Sequence, residues 1–92
     1  MEVDKRILRC KTSTDANKLA GSLYSAHNNA PTEELFLRVI GAGSLNQAIK
    51  AIIISNKFFV KKGLVVDVHP SFQEVSDNGI TSIELKIIFR SL

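Results

Sequence analysis

In 92 residues the chain carries one cysteine, two histidines and nine carboxylates, and none of them falls into a pattern that performs covalent or metal chemistry. Cys10 lies in a short run of alternating apolar and charged residues, far in sequence from both His27 and His69. A packed, structural thiol is the expectation for it. The two histidines lack the close spacing that builds a zinc site. His27 reads as a helix-end residue that complements the helix dipole, and His69 as a sheet-face side chain. Glu33 and Glu34 form the one adjacent carboxylate pair and read as solvated loop residues. With no acid/base pair, nucleophile or cofactor loop, the chain is expected to be no enzyme, with no cofactor, no metal and no small-molecule substrate.

The most suggestive local pattern is Gly41-Ala42-Gly43, a turn between a strand and a helix. A dinucleotide-binding loop would place a third glycine where Asn46 stands and an acidic residue near position 60; both are missing, so that reading is rejected. What survives is a turn exposing backbone N–H groups at a helix N-terminus, a geometry compatible with phosphate. Charge sharpens the point. The 32 residues from Leu35 to Val66 hold no acid and five bases, Arg38, Lys50, Lys57, Lys61 and Lys62, for +5. The other 60 residues carry −2, so the overall +3 conceals a local positive field of the kind that attracts phosphates. Lys57, Lys61 and Lys62 also suit the dipole at a helix C-terminus. Lys50 falls in early turns, where the dipole does not favour a cation, and so points more towards a partner.

The elements that must position these residues follow from periodicity. Arg6–Lys11 reads as a first strand, and the oxygen-bearing side chains of Thr12 to Asp15 as caps of a helix. Ala16, Leu19, Ala20, Leu23 and Ala26 mark one face of that helix, which ends at His27-Asn28-Asn29. Leu35–Ile40 is a second strand. Ser44 is the expected N-cap of a second helix, with Leu45, Ala48, Ile49, Ile52, Ser55 and Phe59 on one face. Leu64–His69 is a third strand ended by Pro70, Asp77-Asn78-Gly79 a turn, and Ile83–Arg90 a last strand with Ile83, Leu85, Ile87 and Phe89 pointing one way. The order β-α-β-α-β-β and right-handed crossovers predict an α/β two-layer sandwich, with both helices on one face of a four-stranded sheet. Ile7, Arg9, Lys11, Phe36, Arg38, Ile40, Glu84, Lys86, Ile88 and Arg90 would occupy the other, open face. That face is half apolar and half basic, which suggests a partner.

Size and composition bound the rest. A 10.1 kDa chain buries about 64% of its unfolded surface, enough for one modest core and little for a deep cleft. A single domain spanning 1–92 is expected. One cysteine excludes an internal disulfide framework. The N-terminal residues are expected not to act as a secretory signal, and Ala51 to Ile54, the longest apolar run, is too short to span a bilayer. A cytoplasmic protein without membrane association is the expectation.

The run Ile40-Gly41-Ala42-Gly43-Ser44-Leu45-Asn46-Gln47-Ala48-Ile49-Lys50-Ala51 resembles the signature of the stage V sporulation protein S family, and Leu19-Ala20-Gly21-Ser22-Leu23 resembles that family's first helix. The resemblance implies an Alba-like fold with a mixed sheet in strand order 1-2-4-3, and a DNA- or RNA-binding regulator of sporulation that forms a homodimer or higher homo-oligomer. By analogy with Alba proteins, the loop after the first strand and the start of the second helix would approach nucleic acid. Those positions hold Lys11, Gly43, Asn46, Gln47 and Lys50. Lys11 and Lys50 would contact phosphates, Asn46 and Gln47 would hydrogen-bond to backbone or base edges, and the glycine turn would allow close approach. The competing expectation is a protein-interaction module or structural oligomer that uses the open sheet face.

Overall fold

The computed structural model describes residues 4–73 and 80–92; the Asp77-Asn78-Gly79 turn lies outside them. Four strands, β1 (Lys5–Cys10), β2 (Glu34–Val39), β3 (Leu64–Phe72) and β4 (Ile83–Ser91), form one sheet in the order β1-β2-β4-β3. Two helices, α1 (Ala16–Asn29) and α2 (Ala42–Val60), connect β1 to β2 and β2 to β3. β1 and β2 are parallel, and β4 runs antiparallel to both its neighbours. β2 and β3 therefore point the same way with β4 inserted between them. Both crossovers step across the sheet in the same direction, so the right-handed rule places both helices on one face.

Burial agrees with that placement. Leu35, Leu37 and Val39 alternate inward on β2, Leu85 and Ile87 do so on β4, and Val66 does so on β3. Leu19, Ala20, Leu23 and Ala26 of α1 and Ala48, Ala51, Ile52 and Phe59 of α2 complete the core. Each large aliphatic side chain removed from water contributes about 1.5–3 kcal/mol before entropy is charged against it. The thinnest dimension, 19 Å, accommodates two layers and not three. One sheet face consequently stays bare.

Beyond one-residue shifts at strand ends, two boundaries differ from the sequence expectation, each for a local reason. β3 continues through Pro70 to Phe72, because it is an edge strand and one of its rows of backbone groups has no ladder partner to lose. α2 begins at Ala42 with Gly41 at the N-cap, where a φ of 86° favours glycine. Ser44, expected as the cap, is instead buried one turn inside: its Oγ accepts from Ile40 N at 3.0 Å and donates to Ile40 O at 2.5 Å. α1 ends at Asn29, where the sequence places its end, and Ala30 caps it with φ −145°. At the other end of α1 the expectation holds, with Asp15 accepting from Asn17 N at 2.8 Å and Lys18 N at 3.2 Å.

Where the two helices meet β4, the aromatic rings form a cluster. Phe59 is fully buried, with ring centroids 5.1 Å from Tyr24, 5.5 Å from His27 and 4.9 Å from Phe89. His27 stacks on Phe89 at 3.8 Å. Burial, and then the nearby Lys62 ammonium, hold the His27 imidazole below its usual pKa. His27 thus packs as an aromatic ring in the last turn of α1, where its burial disfavours the charged form that would complement the helix dipole.

Candidate nucleic-acid interface

The candidate residues gather at the end of the molecule where β1 and β2 finish and α2 begins. After Cys10 the chain makes a closed turn: Thr14 N donates to Lys11 O at 3.0 Å, and Lys11 N donates to Thr14 Oγ1 at 2.8 Å. The turn is then fastened to α2. Gln47 Nε2 donates to Thr14 O at 2.8 Å. A Cβ added at Gly43 would lie 2.7 Å from Thr12 Oγ1 and 2.9 Å from Thr12 Cγ2, so a side chain there would have to push Thr12 aside for the loop to close on the helix.

Two of the five expected contact residues therefore have packing reasons for being what they are. Gly43 admits Thr12, and the amide of Gln47 holds the loop. Lys11, Asn46 and Lys50 are exposed. Gln47 and Lys50 line a concavity of about 630 Å³, facing Thr14, Asp15 and Asn17 across the gap between the loop and α2. Lys11 does not share it. It lines a second pocket of about 330 Å³ on the sheet side, with Arg9, Thr12, Arg38 and Ile40. Cys10 borders that pocket but is buried, with Sγ 3.4 Å from Ser44 O; burial pushes its thiol up, against a smaller opposing pull from Thr14. It is a packed thiol, as the sequence indicates.

Charge is divided between the layers. On the open sheet face Arg38 Nη2 donates to Glu84 at 2.8 Å, Arg90 pairs with Asp67, and Lys86 lies 3.8 Å from Glu34. Arg90 lowers the Asp67 pKa, chiefly by hydrogen bonding, and Asp67 raises that of Arg90. Three cations of the open face are therefore compensated, with Asp67 and Glu34, which strand alternation places on the same face, supplying two of the partners, while Arg9 on β1 has no acidic partner among the described residues. Lys11 and Ile40, expected on that face, lie just beyond the strand ends. The expected solvated pair Glu33 and Glu34 is engaged with Arg6 and Lys86. On the helical layer Lys50, Lys57 and Lys61 have no acidic partner among the described residues, while Lys62 donates to Asn28 Oδ1 at 2.5 Å. Among the described residues no group of three or more metal-ligating side chains converges, and no helix is long and apolar enough to cross a membrane.

These features define a small two-layer α/β protein with its polar groups displayed on surfaces and shallow pockets. The family model of Stage V sporulation protein S matches residues 6–90, nearly the whole chain. The chain belongs to that family, which ties it to sporulation, and the strand order implied by the resemblance is the one observed.

Proposed function

We propose that this chain is a non-catalytic, nucleic-acid-binding regulator, cytoplasmic and homodimeric, that presents the β1–α1 loop and the first turns of α2 to DNA or RNA. The observation that supports it best is the run of exposed, uncompensated cations from Lys50 along α2, beside a loop fastened to the same helix. Lys11 and Lys50 contact phosphates from the two sides of the loop. Asn46 offers a free amide, and Gln47 keeps its carbonyl oxygen while its N–H holds Thr14. Gly43 acts indirectly, by letting the loop close.

Gel shifts with DNA and RNA across a salt series test this reading. Four to five phosphate contacts per dimer give a slope of log K against log salt of roughly −4. Lys50→Glu should weaken binding to both probes. Affinity indifferent to salt, or to that substitution, overturns the reading. The second reading places a protein partner on the open sheet face, where half-buried Phe36 and Ile88 and exposed Ile7 lie between the ion pairs. A stable oligomer in sedimentation that shifts with neither nucleic acid would decide for it.

A further inference from the structure

Arg9 and Arg38 are direct register partners on adjacent parallel strands, so two guanidinium groups start from the same rung on the same sheet face. Like charges directly opposite one another destabilise a sheet. Only one of the two is compensated: Arg38 donates through Nε and Nη2 to Glu84, whereas Arg9 has no carboxylate partner among the described residues. The next residue on that side, Lys11, adds a third cation, and all three line the 330 Å³ pocket together with Thr12 and Ile40. Ile40 leads directly into α2, whose first turn has neither a side-chain cap nor an acid.

We propose that this pocket binds a phosphomonoester dianion. Three cations against the single Glu84 carboxylate leave a local charge of +2. A phosphomonoester carries about −1.5 to −2 at neutral pH and matches it, whereas an internal phosphodiester carries a single charge. Two of the five Arg38 N–H donors are taken by Glu84 and three remain, with all of those on Arg9 free for a planar, bidentate grip. The pocket is larger than a phosphate group, and exposed Ile40 offers an apolar wall to whatever carries the phosphate. The inference rests on the proposed interface in taking an oligonucleotide end as that carrier; a free phosphomonoester has the same chemistry.

Inorganic phosphate, titrated while the Arg Nε–H resonances are followed by NMR, tests the pocket itself. Saturable binding is expected, weakened about tenfold by Arg9→Gln, the cost of one charge-assisted contact. Glu84→Gln should instead tighten it by releasing Arg38, a gain that damage to the fold would not produce. One oligonucleotide with a 5′-phosphate and the same sequence with a 5′-hydroxyl identify the source. A preference for the 5′-phosphate that Arg9→Gln abolishes marks a nucleic-acid end; phosphate binding with no such preference marks a free phosphomonoester. No saturable phosphate binding, or equal binding by Arg9→Gln, overturns the proposal. In that case salt-dependent, Lys50-dependent binding of both oligonucleotides would leave the interface reading standing. Phosphate bound with neither oligonucleotide bound would instead sink the interface and keep the pocket.

Discussion

On the bare sheet face three cations are answered, Arg38 by Glu84, Arg90 by Asp67 and Lys86 by Glu34, while Lys5 and Arg9 on β1 have no acidic partner among the described residues. Across the molecule, on α2, Lys50 and Lys57 have no acidic partner among the described residues, and neither does Lys61 just beyond. The two layers share one core and nearly the same apolar content, so packing does not explain the contrast. Exposed cations that serve only solubility are normally interspersed with anions, as they are on the sheet. The helical layer keeps its field unspent, and the rim where the two layers meet carries the one strand rung with two arginines. Electrostatic recognition therefore belongs to α2 and to the Arg9–Arg38 rung, while the β4 and β3 side of the sheet face is paired off.

The largest effect expected from breaking this arrangement is mechanical. The lysines keep their positions because α2 is anchored over the sheet by Phe59, fully buried among Tyr24, His27 and Phe89. Phe59→Ala should cost about 3–5 kcal/mol in urea unfolding, the sum of lost transfer energy and the cavity left behind. A loss below 1 kcal/mol would mean that the aromatic cluster does not hold the two layers together. Next in size is Gly43→Ala, whose methyl group must push Thr12 away; about 1–3 kcal/mol of overpacking is expected. Thr12→Ala removes the two atoms nearest that methyl group, so the double variant should recover most of the loss. No recovery would show that Gly43 is required for something other than admitting the loop.

A smaller effect separates the two layers by charge. Lys50→Gln and Lys57→Gln should each reduce the salt dependence of nucleic-acid binding by about 1.8 in the log–log slope if each lysine of the dimer neutralises one phosphate. Arg90→Gln, which removes a cation already paired with Asp67, should leave the slope where it was. Equal effects from both layers would erase the distinction.

How much of this was legible beforehand depends on the range of the interaction that decides each feature. The inward sides of β2 and β4 follow from alternation within a few residues, and Leu35, Leu37, Val39, Leu85 and Ile87 lie where that alternation places them. The start of α2 does not follow so simply. Serine is a common cap, but the chain turns at Gly41 with positive φ and draws Ser44 inward against Ile40. Ion pairing on the sheet face was not legible either, because Asp67 reaches Arg90 only once the order β1-β2-β4-β3 and its register exist. At the candidate interface, exposure of Lys11, Asn46 and Lys50 was readable from their types and positions. The tie from Gln47 to Thr14 spans 33 residues and has no local signature. Arg9 and Arg38 were both assigned to the open face, yet their meeting on one rung next to Lys11 required the parallel register of β1 and β2.

The smallest expected effect concerns the joint between the layers and runs through a proton. His27 stacks on Phe89 and lies near Lys62, and both its burial and that charge favour the neutral ring. Its folded pKa lies below the unfolded value near 6.5, so the unfolded chain binds the extra proton more readily. Stability from this group is fully present above that unfolded value and declines as pH falls from it towards the folded pKa. Thermal unfolding should therefore show a Tm that drops between neutral and mildly acidic pH by more in the natural chain than in His27→Phe, which keeps the ring and removes the titration. The carboxylates that titrate lower down, Asp67 among them, are common to both chains and cancel in the difference. Parallel Tm profiles across that interval would mean that His27 has the same pKa folded and unfolded, and a natural chain that loses less Tm than His27→Phe would mean that the folded state favours the charged ring. In that last case the residue would belong with the cations of the helical layer, and its stacking on Phe89 would be a cation–π contact rather than the packing of a neutral ring.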